Sequence, residues 1–350
     1  MGTRGRAAGL AVGIVADALL GDPRRGHPVA GFGAVAARLE HRMHRDAVAP
    51  GVAYTALLVG GTVAAGALAE AAARRAGGRR ETVLRAGLTA VATWTVLGGT
   101  SLVAEGAALA AALDAGDLAT ARARIPHLCA RDPELLDADG MARAGTESLA
   151  ENTSDAVVGP LVWGAVAGVP GLLGYRAVNT LDAMVGYRSA RHARFGWASA
   201  RLDDLANLAP ARVTAVVTVA VAPLVGGSPV TALRAWRRDA AGHPSPNAGP
   251  VEASAAGALG LRLGGPTVYA HGTEDRPSLG DGNPPRVADL HRVARLSRLV
   301  AGAAGLLAVT AAAVLGRRSG ERRSGGPAVR GRRCTPTRSV RVHRRNSLTG

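Results

Sequence analysis

"ESLAENTSDAVVGPLVW", residues 147–163, sets three carboxylates four residues apart, Glu147, Glu151 and Asp155, directly before an apolar run that continues to about Gly174. If the stretch is helical, these positions share one face. Like charges on one face repel, so the pattern calls for a cation or arginines opposite it, or for open water around it. Hard divalent ions such as Mg²⁺ favour carboxylate oxygens and bridge to phosphate. A solvated helix face explains the row equally well from this stretch alone. Asn152-Thr153-Ser154 also spells a glycosylation sequon, but nothing else in the chain points to a secreted glycoprotein.

The apolar run is one of a series at residues 7–20, 51–73, 84–113, 156–174, 213–227 and 299–315. The second is about the length of a bilayer crossing. Hydrophobic residues make up 47% of the 350, charged residues 19% and aromatics 3%, with Ala, Gly, Val and Leu as the apolar mass. That mixture suits membrane helices better than a soluble core. The expected fold is an all-α, polytopic integral membrane protein with four to six membrane-embedded helices and long polar helical loops. A soluble Ala-rich helical protein is the alternative. The first run follows Arg4 and Arg6, contains Asp17 and closes on Gly21-Asp22-Pro23. Without a small-residue cleavage site it reads as a retained helix, not a signal peptide. Residues 114–155 mix apolar and charged residues at helical spacing and read as soluble helices.

All 42 basic residues are arginine. Without lysine there is no Walker A phosphate loop and no lysine Schiff base. The net charge of +16 is uneven: residues 316–350 hold eleven Arg and one Glu, a net of +10, which leaves +6 for residues 1–315. The chain therefore divides into a membrane domain, 1–315, and an Arg-rich tail, 316–350, whose Arg, Ser, Gly and Pro cannot bury a core. The tail has no aromatics to stack on bases, so nucleic acid is not an expected partner. Two cysteines and nine histidines show no metal-ligand spacing, and zinc is not expected.

Three more stretches are rich in polar residues. Residues 175–212 interleave Asn179, Asp182, Asp203, Asp204 and Asn207 with Arg176, Arg188, Arg191, Arg194, Arg201 and Arg212. Arginine forks bind phosphate or carboxylate, and paired acids beside them could hold a metal. A salt-bridged linker explains many of these residues but not the embedded amides or Gly186-Tyr187. Residues 243–269 are punctuated by Pro and Gly; Asn247, Glu252 and Arg262 are the polar candidates, and Gly264-Gly265-Pro266 reads as a tight turn. In residues 17–33, His27 could be a base, a donor or a structural histidine. These residues alone describe a membrane protein with acid-and-arginine loops suited to an anionic substrate, either an enzyme or a transporter.

Taken in series, the four stretches resemble the CobD/CbiB family of cobalamin biosynthesis, the adenosylcobinamide-phosphate synthases. The resemblance lies in Asp17, Gly21-Asp22-Pro23 and His27-Pro28-Val29, then in Glu147, Glu151-Asn152, Asp155 and Pro160. It is densest in Tyr175, Asn179-Thr180-Leu181-Asp182-Ala183-Met184-Val185-Gly186-Tyr187, Phe195-Gly196, Ala200-Arg201-Leu202-Asp203-Asp204 and Pro210-Ala211-Arg212. It closes with Ser245-Pro246-Asn247-Ala248-Gly249, Gly264-Gly265 and Tyr269, and spans roughly residues 7–315.

The resemblance implies a multi-pass protein of the bacterial inner membrane. It implies ATP-dependent ligation of aminopropanol, or its phosphate, to a propionate carboxylate of adenosylcobyric acid, giving adenosylcobinamide or its phosphate. ATP and Mg²⁺ are the expected cofactors; membrane lipid and other cobalamin-assembly enzymes are expected partners. The rival is a non-catalytic corrinoid transporter or membrane scaffold. On the ligase reading, Glu147, Glu151, Asp155, Asp182, Asp203 and Asp204 form the catalytic set, with metal ligands expected at Glu151, Asp155, Asp203 and Asp204. Arg176, Arg188, Arg201 and Arg212 would hold phosphate, and Asn152, Asn179, Asn247 and Tyr187 would contact substrate. His27 is a candidate acceptor for the amine's proton. The Arg-rich tail has no counterpart in the family pattern. Deleting residues 317–350 is expected to leave corrinoid ligation by isolated membranes unchanged, measured as product formed per unit of protein.

Overall fold

The computed structural model describes residues 2–23, 26–187, 189–269 and 272–324, with side chains throughout except at 2–4, 267–269, 272–274 and 316–324. Arg188 and most of the Arg-rich tail lie outside the described residues. The chain runs through α1 (Gly2–Leu20), α2 (Pro28–Met43), α3 (Val48–Arg75), α4 (Gly78–Val96), α5 (Gly99–Asp114), α6 (Leu118–Leu128) and α7 (Ala138–Thr153). A π-helical turn, Ser154–Val158, leads into α8 (Gly159–Ala167), α9 (Val169–Val185), α10 (Trp197–Val221), α11 (Pro229–Asp239) and α12 (Ala248–Leu259). A hairpin of β1 (Leu263–Tyr269) and β2 (Gly272–Leu279) precedes α13 (Val287–Ser324). Over the described residues the fold is thus all-α apart from one two-stranded antiparallel sheet.

Among the described residues, four segments are long and apolar enough to cross a membrane: Val48–Arg75, Gly78–Asp114, Trp197–Val225 and Val287–Leu315. Polar helices begin at side-chain caps. Asp117 accepts from Thr120 N at 3.0 Å before α6, and Asp137 from Gly140 N at 2.7 Å before α7. Each satisfies an amide that the first helical turn leaves without a partner.

Small residues set the closest approaches. Gly5, Gly9 and Gly13, four apart on α1, face Thr82, Ala86, Thr89, Ala90 and Thr93 of α4, where an added Cβ would collide with backbone carbonyls or threonine side chains. Such stripes let backbones approach where lipid offers little hydrophobic drive between helices. In α12 all twelve residues are buried. Gly51 of α3 does the same job for the segment before α10: a Cβ there would strike the backbone of Phe195, and nearby Thr55 Oγ1 lies 2.8 Å from Ser199 Oγ.

Two apolar runs that the sequence presents as continuous are interrupted. The 84–113 run breaks at Leu97-Gly98, where Gly98 N donates to Ala156 O of the π turn at 3.2 Å. The 156–174 run breaks at Gly168, whose φ of +70° favours glycine. At that second break Arg6 Nη1 donates to Ala165 O and Val166 O at 3.3 and 3.1 Å, while Glu70 Oε1 accepts from Val169 N at 3.0 Å. Broken helices deep in a membrane protein persist where such groups satisfy the freed backbone. Residues 175–212, expected as a polar connection, are mostly helix, in α9 and α10.

Gly264-Gly265-Pro266 is not a tight turn. All three lie in β1, and the register shifts between Leu263 and Gly265, with φ of +81° and +79° at the two glycines. Paired positive-φ glycines here form a bulge within a strand, which bends the strand without reversing it.

Gly51→Val is expected to lower stability by about 1–3 kcal/mol through overpacking. Gly60→Val, on the same helix but with open space around its Cβ position, should be close to neutral. Thermal midpoints of the two variants in one detergent make the comparison.

Candidate active site

Five of the expected carboxylates meet around one cavity. Glu151 of α7, Asp155 of the π turn, Asp182 of α9 and Asp203 and Asp204 of α10 line a space of about 270 Å³, together with Ser154, Asn207, Ser245 and Asn247. The π turn matters to this arrangement. Its i→i+5 hydrogen bonding departs from α-helical spacing, and Asp155 lines the same cavity as Glu151 across it.

Amides hold the carboxylates. Asn207 Nδ2 donates to Asp203 Oδ2 at 2.9 Å, and Tyr175 Oη donates in turn to Asn207 Oδ1 at 2.7 Å. Asn179 Nδ2 reaches Asp155 Oδ2 at 3.4 Å. Asn247 Nδ2 donates to the Asp204 carbonyl at 2.8 Å, while its Oδ1 accepts from Arg212 Nη1 at 2.9 Å. Arg201 Nη1 sits 3.3 Å from Asp204 Oδ2 on the exposed side. Asp203 Oδ1 is buried and accepts no hydrogen bond.

Burial pushes the Asp182 carboxyl up to about 7, with Asp203, Asp204 and Glu151 adding repulsion. Burial also raises Asp155 well above the usual carboxylate range, with Asp203, Glu151 and Asp182 as further causes. Glu151 is raised by burial, and the Arg276 guanidinium opposes that rise.

Glu147 leaves this group. It is buried, paired with buried Arg131, and its Oε1 accepts from Gly264 N at 2.8 Å. Arg143 Nη1 donates to Gly264 O at 3.0 Å and Nη2 to Pro266 O at 2.6 Å. Glu147 and Arg143 therefore dock the hairpin onto α7. Asn152 also turns away, donating to Ser148 Oγ at 2.8 Å and toward Leu128 O. His27 caps α2, its Nδ1 accepting from Val29 N at 3.1 Å, and does not line the cavity. Arg176 faces a separate space of about 130 Å³ beside Pro28 and Phe32. Tyr187 is exposed just beyond α9.

Behind the cavity is a tier not assigned from sequence. Glu252 of α12, 1% exposed, lies 3.6 Å from Arg276 Nη2 and 3.7 Å from His243 Nε2. Burial, reinforced by Glu151, raises the Glu252 carboxyl well above its ordinary range. Burial and the neighbouring Arg276 push His243 down to about 4. The signal for Glu252 was present: a lone acid in an otherwise small-residue apolar segment.

Among the described residues, no three His, Cys, Asp or Glu side chains already converge as a ready metal-ion shell. The acids line walls of one space. Mg²⁺ characteristically keeps several waters and takes one or two carboxylates together with substrate phosphate. A polar cavity of carboxylates with an unpartnered Asp203 oxygen fits that mode, and Glu151, Asp155, Asp203 and Asp204 are the residues that could hold such an ion.

A family model described as CobD/Cbib protein matches residues 10–297. The cobalamin biosynthesis protein CobD of Mycobacterium tuberculosis is 56% identical over 304 residues, covering 87% of this chain and 95% of the relative. The protein of the same name from Rhodobacter capsulatus is 45% identical, covering 83% and 93%. That from Pelobacter propionicus is 41% identical, covering 78% and 84%. No solved structure matches the chain.

Because Asp182, Asp155 and Glu151 hold protons more tightly in the fold than in the unfolded chain, the native state binds more protons at intermediate pH. Stability is then lost as pH rises from about 4 through about 7, the opposite of an ion-paired carboxylate. Thermal midpoints in detergent without divalent ions are expected to fall between pH 5 and pH 8. Added Mg²⁺ is expected to flatten that decline by offsetting the repulsion.

Proposed function

The chain belongs to the CobD/CbiB family and serves cobalamin biosynthesis, and from that premise we propose that it performs an amide ligation. The substrates would be adenosylcobyric acid, through one propionate carboxylate, and aminopropanol or its phosphate. The product would be adenosylcobinamide or its phosphate. The observation that carries this reading is the cavity shared by Glu151, Asp155, Asp182, Asp203 and Asp204, with Arg201 and Arg212 bonded at its edge.

A carboxylate and an amine at neutral pH form an unreactive salt, so ligation needs the carboxylate activated. ATP with Mg²⁺ would supply that activation when bound. The residues around the cavity supply the rest. Glu151, Asp155, Asp203 and Asp204 would hold the ion, and Arg201 and Arg212 would offset phosphate charge. The space of about 270 Å³ falls below the range of about 300–1,000 Å³ that encloses drug-sized ligands. The corrin ring would therefore rest at the mouth, with only its carboxylate arm inside.

As the C–N bond forms, the amine nitrogen gives up a proton. Asp182, on the cavity wall and titrating at about 7, is positioned to accept it near working pH. His27, capping α2, is not. Asn247 and Asn179, each bonded to the acid-bearing segments, would orient the carboxylates or donate to corrin amides. With no lysine in the chain, phosphate recognition would fall to arginine and backbone amides.

The test uses membranes containing the chain, supplied with adenosylcobyric acid, aminopropanol phosphate, ATP and Mg²⁺, with the condensed amide read by mass spectrometry. ATP-dependent product is expected. Asp203→Asn and Glu151→Gln should each lower turnover by about 100-fold or more, while Glu134→Gln on the exposed surface should not. Full activity in both cavity variants would defeat the assignment. Corrinoid retained on the membranes without product would favour a transporter or scaffold instead.

A further inference from the structure

A second cavity beside the membrane-spanning helices is larger than the acid cavity. A space of about 450 Å³ lies between α1, α5, the end of the π turn, α8 and α13. Its walls are mostly apolar, with Val103, Val157 and Leu161 typical of them and Asp17, Thr100, Ser297 and Arg298 the exceptions. Asp17 of α1 projects into it while only 8% exposed. Asp17 Oδ2 accepts from Thr100 Oγ1 at 3.1 Å, but its Oδ1 is buried and accepts nothing. A buried acceptor left without a donor is costly, and an ionisable group among membrane helices marks a functional site by default. Arg298 also lines the cavity, exposed at its rim, and makes no ion pair with a described acid.

We propose that this cavity binds one phospholipid whose headgroup carries a primary ammonium. The ammonium donates to Asp17 Oδ1, the phosphate lies against Arg298, and the acyl chains run outward along α1 and α13. Each part has its counterpart in the structure. The lone carboxylate calls for a cation that can also donate a hydrogen bond, which a quaternary ammonium cannot do. The apolar wall disfavours a hydrated metal ion or a freely soluble metabolite. The faces flanking the cavity are already lipid-like: Leu19 on α1 is 78% exposed and Leu306 on α13 is 74% exposed. Two of the bounding segments, Gly78–Asp114 and Val287–Leu315, are long and apolar enough to span a bilayer. This site stands apart from the ligase reading, although the two cavities share a wall: Asp155 faces one and Val157 the other.

The test is lipid retention, which needs no turnover. Protein purified in neutral detergent and stripped of lipid is titrated with phosphatidylethanolamine, phosphatidylcholine or phosphatidylglycerol, and bound lipid is counted by native mass spectrometry. One phosphatidylethanolamine is expected to bind about tenfold more tightly than either of the others. Asp17→Asn should erase that preference. Gly302→Leu, which keeps Asp17 and fills the cavity at a position whose Cβ would meet nothing within 4 Å, should block binding without depending on the fate of the acid. Equal binding of all three lipids, or a preference that survives both variants, would overturn the proposal. Displacement of the lipid by equimolar O-phosphoethanolamine would overturn it in favour of a soluble aminoalkyl phosphate.

Discussion

Mutual repulsion among carboxylates around one small cavity is the constraint that the surrounding structure answers. Five acids from four segments of chain share the space, and none can be screened as it would be in open water. The answer comes in tiers. Amides touch the acids first: Asn207 on Asp203, Asn179 on Asp155, Asn247 on the backbone of Asp204. Arginines stand further out, Arg201 and Arg212 at the edge, Arg276 and Arg131 behind. The residual repulsion shows in the raised proton affinity of Asp155 and Asp182.

The same economy of polar groups governs the backbone. The helices break at Leu97-Gly98 and at Gly168, and at each break a freed amide finds an acceptor. At the first, the π turn's Ala156 carbonyl receives the Gly98 amide. At the second, Arg6 and Glu70 take the ends of α8 and α9, and buried Arg85 lies 3.9 Å from Glu70. Charges at this depth read naturally as helix caps, so the Arg6–Glu70–Arg85 group is explained by structure alone.

Much of this was legible in the sequence, for identifiable reasons. Apolar length revealed the spanning helices, and the acids in residues 147–155 and 175–212 revealed most of the cavity. What failed was anything that depended on where a helix stops being regular. Spacing alone put Glu147 in line with Glu151 and Asp155, but Glu147, one turn before Glu151 on α7, is drawn to Arg131 and the hairpin instead of the cavity. His27 carried no mark separating a cap from a base. Gly264-Gly265 looked like a reversal because a bulge uses the same residues. Glu252 was a polar candidate but received no role, because α12 is buried on every side and periodicity cannot mark a face where there is no other face to contrast with it.

The π turn at Ser154–Val158 also bears on how the gene can change. It acts as one residue inserted into an otherwise α-helical path. Removing one residue there would let the segment relax to regular α geometry while the helix after it keeps close to its present phase. The change would fall on the turn itself, which holds Asp155 and Val157 on the two cavity walls and the Ala156 carbonyl that accepts from Gly98 N. Loops such as the one between α2 and α3 can gain or lose residues without moving a helix face. These five positions offer a similar latitude inside a helix, limited by the residues that line the two cavities, at a place where the sequence looks like ordinary helix.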